Sequence, residues 1–280
     1  MRPLEVLLDI PHHPASHLSA DLERIYGGPL SLGDSCVFAN FVSSLDGVVA
    51  LDDVGMRPSD IGLKSEADRF VMGLLRAHAE AIVIGAGTLR AEPTHRWTPE
   101  RVHPAASDAF ASLRSSLGLA PAPELVVLTS TGDIDADAPA LADAVVVTTS
   151  KGADALRHRV HSETDLIEVS GGDVVDVASA LDVVRGRGHR RILSEAGPGL
   201  TSQMLAARVV GDLFLTLSPM LAGRPEPGSR PGLAEGTDLV ESGLRGDLMS
   251  VRQHGSHLFL RYALGGVTGR RSHREAAPAS

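Results

Sequence analysis

Two stretches of the chain join a short aliphatic run to a glycine turn, a pattern that lets a phosphate group approach the backbone. In Ile82-Val83-Ile84-Gly85-Ala86-Gly87-Thr88-Leu89-Arg90 the run ends in two glycines and a hydroxyl. Glycine admits a ligand close to the main chain, and amides at a following helix start can hold phosphate oxygens. The pattern recurs in Ile192-Leu193-Ser194-Glu195-Ala196-Gly197-Pro198-Gly199-Leu200-Thr201. Pro198 suits a first helical position, and the amides of Gly199, Leu200 and Thr201 would then face an anion. Neither stretch is the G-x-G-x-x-G dinucleotide fingerprint, because Arg90 and Ser202 stand where its third glycine belongs. Singly, each also fits an ordinary strand-to-helix turn. Together they point to a dinucleotide site.

Other polar residues extend this pattern. Thr129-Ser130-Thr131-Gly132-Asp133 and Thr148-Thr149-Ser150-Lys151 are hydroxyl-rich loops at the ends of expected strands, where open α/β sheets bind ligands. Lys151 is suited to neutralise a ribose 2′-phosphate; taken separately, each loop is better accounted for by turn and N-cap chemistry. Asp68 shares a helix side with Val71 and Leu75, so its carboxylate is expected to be partly buried, with a raised pKa suited to proton transfer. The same residue completes a capping box, Ser65-Glu66-Ala67-Asp68, in which it would serve only the helix end. Residue chemistry alone leaves these two roles even.

The elements that must position these groups follow from periodicity. Strands are expected at Val37–Val42, Ala81–Ile84, Leu125–Thr129, Ala144–Thr148, Leu166–Val169, Arg191–Ser194 and Asp212–Leu217. Helices are expected at Lys64–His78, Ala106–Leu117, Lys151–Arg159, Val174–Arg185 and Pro198–Ala207. Their alternation predicts βαβ units and a mostly parallel sheet. Leu248–Gln253 and His257–Leu264 flank His254-Gly255 and predict an antiparallel hairpin. Residues 1–34, rich in proline and glycine, read as an irregular arm with one short helix near Leu18–Ile25. Residues 35–264 read as one domain, and 265–280 as a disordered tail.

Bulk composition excludes several classes. The 280 residues carry a formal net charge of −9 and only 3% aromatics, which disfavours nucleic-acid binding. No apolar run approaches the ~18 residues of a membrane span, and the start lacks a signal-peptide core. Cys36 is the single cysteine, so an intrachain disulfide and a Cys-rich metal site are both excluded, and a reducing cytoplasmic setting is expected. There is no G-x-S-x-G elbow, no P-loop and no H-E-x-x-H, and a zinc nucleobase deaminase needs more cysteines than one.

Five segments occur in an order that resembles a known family: Asn40-Phe41-Val42-Ser43-Ser44-Leu45-Asp46-Gly47, Ser65–Phe70, Leu75-Arg76-Ala77, Ile84–Thr88 and Ser194-Glu195-Ala196-Gly197-Pro198. Together they look like the C-terminal reductase domain of the bifunctional riboflavin-biosynthesis protein, within the dihydrofolate-reductase-like superfamily. The resemblance runs from about Val37 to Leu264. It implies a three-layer α/β fold with a mostly parallel sheet and antiparallel C-terminal edge strands, NADPH as cofactor, a small-molecule substrate and a homodimer. It also implies that Gly197 to Gln203 wrap the cofactor diphosphate, with Gly85, Gly87, Thr88, Glu92 and Ser130 on cofactor positions. Asn40, Arg76 and Glu195 would face substrate. Asp68 falls near the carboxylate that holds the pterin ring in dihydrofolate reductases, which favours its chemical role; Glu195 and Asp68 are the expected catalytic pair. The sequence departs from the pattern at Ala196, usually glycine, at Ala86, usually basic, and over Ala91–Trp97, which only approximates the family's Asp-Asp-Pro stretch. A non-catalytic nucleotide-binding protein, or a flavin- or deazaflavin-using reductase, would keep the same fold.

Overall fold

The computed structural model describes residues 1–11, 13, 18–51, 58–169, 172–226 and 228–264. In chain order these form β1 (Glu5–Asp9), α1 (Ala20–Tyr26), β2 (Cys36–Ser43), α2 (Pro58–Ile61), α3 (Glu66–His78), β3 (Ala81–Gly85), α4 (Ala86–Ala91), α5 (Pro99–Val102) and α6 (Ser107–Ser116). They continue with β4 (Glu124–Thr129), β5 (Val145–Thr148), α7 (Ser150–Leu156), β6 (Asp165–Glu168), α8 (Val177–Gly186), β7 (Arg191–Ser194), α9 (Pro198–Ala206), β8 (Asp212–Leu217), β9 (Asp247–His254) and β10 (His257–Ala263).

One sheet holds all ten strands in the order β1-β9-β10-β8-β2-β7-β3-β4-β5-β6. From β8 to β6 neighbours run parallel, and from β8 to β1 they run antiparallel. The predicted strands and helices are present, with ends shifted by a few residues. The chain adds β3 to β6 on one side, then returns to insert β7 between β2 and β3. The two glycine turns therefore leave adjacent parallel strands.

Strand residues alternate between two apolar layers, as the period of two requires. Phe38, Ile82, Ile84, Val127, Val146 and Leu193 meet α1, α3 and α6 on one face. Val37, Ala39, Val83, Val126, Val145 and Ile192 meet α8 and α9 on the other. Central parallel strands are covered on both sides, so they read as continuous Val and Ile runs. Helix α3 is buried along most of its length. It packs so closely on α6 that a Cβ at Gly73 would lie 2.7 Å from the Phe110 ring.

The N-terminal arm departs from the irregular coil read from its composition. Glu5–Asp9 is a strand paired with β9, and Leu4 is 3% exposed. Arg252 of β9 fixes this edge: its guanidinium lies 4.1 Å from the Tyr26 ring centroid, and its Nη2 donates to Asp9 Oδ2 at 3.0 Å. The partner strand lies more than two hundred residues away, so no local signal marks β1. The tail expected to be disordered lies outside the described residues.

Candidate functional site

The site lies where β2, β7, β3 and β8 end. Helix α3 supplies Asp68 and Arg76 from one face, and the turn after β7 supplies Glu195. Asp68 is 7% exposed. Its main-chain N–H donates to Ser65 Oγ at 3.3 Å, so the cap uses the backbone and the serine hydroxyl. The carboxylate instead hydrogen-bonds with Thr216 of β8. Burial raises the Asp68 pKa, and Thr216, His257 and Arg69 only partly oppose this. The two readings of Asp68 thus fall on different atoms.

Arg76 and Glu195 form a bidentate pair. Arg76 Nε donates to Glu195 Oε1 at 2.8 Å and Nη2 to Oε2 at 2.7 Å. Arg76 is 2% exposed, and its remaining Nη1 meets His95 Nε2 at 3.1 Å and the Thr98 carbonyl at 3.3 Å. Arg76, expected at the substrate, spends four of its five N–H donors on Glu195, His95 and Thr98. It aims Glu195, whose side chain retains 11% exposure. Guanidinium can only donate, so His95 Nε2 must accept and Nδ1 carries the hydrogen. That hydrogen faces Glu92 Oε2 at 3.3 Å. The result is a continuous polar row, Glu195–Arg76–His95–Glu92, across the site. His95 and Thr216 were not found by sequence reasoning. His95 lies in the Ala91–Trp97 segment that departs from the family pattern, and its edge-on contact with Trp97, at 4.8 Å between rings, supports the orientation that Arg76 and Glu92 give it.

The two glycine turns meet. A Cβ at Gly85 would lie 3.4 Å from Leu200 Cδ2, and one at Gly197 would lie 3.6 Å from Thr88 Oγ1. At Gly87 and Gly199 a Cβ would meet nothing within 4 Å. Gly197 caps α9 without a side-chain acceptor, and Pro198 opens the helix, which leaves the amides of Gly199 and Leu200 for another partner. Thr201 is turned inward and donates to the Ala196 carbonyl at 3.2 Å. Ala196 is 3% exposed, so its methyl group is accommodated in the core.

Other expected residues sit apart. Ser130 and Lys151 follow β4 and β5, so with strands ~4.8 Å apart the row from β7 to β5 spans ~14 Å. Ser130 Oγ accepts the Val175 N–H at 3.0 Å, and its carbonyl accepts from Thr149 Oγ1 at 2.6 Å. Lys151 is exposed in the first turn of α7. Asn40, expected at the substrate, lines a cavity of about 10 Å³ with Val71, Thr216, Ser250 and Arg261. That volume fits one water molecule. Among the described residues, no group of three or more His, Cys, Asp or Glu could hold a metal, and no helix is long and apolar enough to cross a membrane.

The fold is that of an α/β protein with a mostly parallel sheet, in which two glycine turns meet at the ends of adjacent strands. The RibD C-terminal domain family model matches residues 35–260, and the chain belongs to that family, whose domain is a reductase. A 2,5-diamino-6-ribosylamino-4(3H)-pyrimidinone 5′-phosphate reductase from Archaeoglobus fulgidus is 26% identical over 194 residues, covering 68% of this chain and 84% of that one. A pyrimidine reductase-like protein from Corynebacterium diphtheriae has a similar structure, with a TM-score of 0.67 and 22% identity over 88% of this chain and 99% of the other. RibD from Acinetobacter baumannii gives a TM-score of 0.62 and 19% identity; the match covers 83% of this chain and 58% of that one.

Proposed function

We propose that this enzyme is an NADPH-dependent reductase of a ribosylamino-pyrimidine phosphate, acting in riboflavin biosynthesis. The observation that carries this reading is the contact between the two glycine turns beside a buried acid and an ion-paired carboxylate. The open approaches at Gly87 and Gly199 and the uncapped start of α9 fit a diphosphate. Gly85, Gly197, Pro198, Leu200 and Thr201 shape the turns, Thr88 and Glu92 border them, and Lys151 lies along the same row for a 2′-phosphate.

When bound, NADPH would supply the hydride that converts an opened ribosyl carbon to ribityl. The protein's own groups do the rest. Asp68 keeps its proton to a higher pH than an ordinary carboxylate and is placed to hold or deliver it. Glu195, aimed by Arg76, offers acceptor oxygens to the N–H groups of a pyrimidine ring. We assign these roles to one domain, residues 35–264, in a cytoplasmic homodimer.

The test is fluorescence titration of the purified protein with NADPH, NADH and flavins, followed by turnover with the phosphorylated ribosylaminopyrimidine. Gly199→Val is expected to leave thermal stability unchanged and weaken NADPH binding by roughly tenfold or more, because its side chain enters open space on the phosphate path. No NADPH binding by the unmodified protein, or flavin binding instead, would overturn the reading.

A further inference from the structure

The turn after β2 is joined to the first turn of α9 by the segment between β8 and β9, whose described residues, 218–226 and 228–246, form no helix or strand. Irregular segments this long within a compact domain are uncommon and commonly functional.

One end of this strap is held by Asp46. Its Oδ1 accepts from Ser44 Oγ at 2.6 Å and from the Ala222 N–H at 3.0 Å, and its Oδ2 accepts from the Gly223 N–H at 2.7 Å. Ser44 Oγ in turn accepts the Val48 N–H at 2.9 Å, which closes the turn. Backbone bonds reinforce the junction, from Ser218 N–H to the Ser43 carbonyl and from Leu45 N–H to the Met220 carbonyl, both at 2.8 Å. Arg224 adds a bond to the Asp46 carbonyl at 3.3 Å. These donors hold the Asp46 carboxyl well below the usual carboxylate range, the Ser44 hydroxyl contributing most.

The strap then crosses to α9. Val49 N–H donates to the Pro231 carbonyl at 3.0 Å, and Glu235 Oε1 accepts the Gly232 N–H at 2.7 Å. Leu233 and Ala234 pack into the apolar layer that contains Leu200, Met204 and Leu205. The Glu235 N–H ends the path by donating to Ser202 Oγ at 2.5 Å. Ser202 is fully buried, and its Oγ–H donates a hydrogen bond to the Pro198 carbonyl at 2.9 Å. The first turn of α9 is thus held from outside by the strap.

We propose that Asp46 is a positioning residue for the dinucleotide site, holding the strap so that Glu235 and Ser202 fix the opening turn of α9. This rests on the phosphate-holding role assigned to that turn. Asp46 itself touches no phosphate on this route; it sets the geometry of amides that do.

The experiment compares the full-length protein with D46A, D46N, S202A and the D46A/S202A double variant. Backbone hydrogen exchange over residues 219–235 and NADPH affinity are measured for each, with kcat. D46A is expected to speed exchange along the whole segment, including Glu235, and to weaken NADPH by roughly tenfold, the scale of one net hydrogen bond. The kcat at saturating NADPH is expected to stay within about twofold, since binding rather than chemistry is altered. D46N, which keeps one acceptor oxygen, is expected to recover part of the affinity. The double variant is expected to lose no more than the worse single one, because both lie on one path. Additive losses, or faster exchange confined to 219–224 with Glu235 unchanged, would overturn the proposal. If the unmodified protein binds no NADPH, the functional reading fails, while the exchange of Glu235 still decides whether Asp46 reaches α9.

Discussion

At the scale of the residue, Asp68 and Lys151 carry the sharpest predictions. Asp68 is buried, with a pKa raised mainly by desolvation. Asp68→Asn is expected to lower kcat by roughly 10²–10⁴-fold, the usual worth of a positioned acid. It should also raise stability at neutral pH. The native carboxyl holds its proton to a higher pH than the unfolded one, so stability falls as pH rises from the unfolded pKa through the folded pKa. Asparagine removes that loss, and thermal unfolding at pH 7 checks the sign. Loss of both activity and stability would mean that Asp68 is structural. Lys151 is exposed beside the loops after β4 and β5. If it meets a 2′-phosphate, Lys151→Ala should raise KM for NADPH several-fold and leave KM for NADH nearly unchanged, with an effect that fades in high salt.

At the scale of the element, α3 joins chemistry to the core. Asp68 and Arg76 reach the site, while His78, near its C-terminus, is fully buried. His78 Nδ1 donates to the Leu74 carbonyl at 2.9 Å. Its Nε2 has no hydrogen-bond partner, and burial lowers its pKa from 6.5 to about 4. Between those values the unfolded chain binds a proton that the folded chain refuses, so stability falls as pH drops from about 6.5 to about 4. The full effect is about 3 kcal/mol. Denaturant unfolding of His78→Leu should show a flatter acid limb than the unmodified protein; an unchanged slope would refute the assignment. Arg114 works at the same helix end, donating from Nη1 to the Ala79 carbonyl at 2.7 Å and the Arg76 carbonyl at 3.1 Å. A buried cation thereby satisfies the terminal carbonyls of the helix that aims Glu195.

At the scale of the whole molecule, the N-terminal arm completes the sheet. Deleting residues 1–10 removes buried Leu4, strands the Arg252 guanidinium without Asp9, and opens the edge of β9. Loss of Leu4 alone is of the order of 2–5 kcal/mol. The truncated chain should melt earlier and associate in a concentration-dependent way through the exposed edge. Calorimetry together with light scattering measures both. Unchanged melting would reduce the arm to an ornament of the edge.

The alternating strands and helices were legible because aliphatic runs and amphipathic stripes are local consequences of where each face must pack. The glycine turns were legible for the same reason: close approach and helix entry restrict residue type at each position. Other relations depend on distant partners. β1 could not be read from Glu5–Asp9, because its register is set by β9. The ion pair of Arg76 with Glu195 and its contacts with His95 and Thr98 join residues 19 to 119 positions apart, which no local pattern shows. Residue chemistry alone left the two roles of Asp68 even; the fold gives its amide to Ser65 and its carboxylate to Thr216. Local propensity and periodicity act within a few residues of chain, whereas burial, ion pairing and pKa depend on what folding brings alongside.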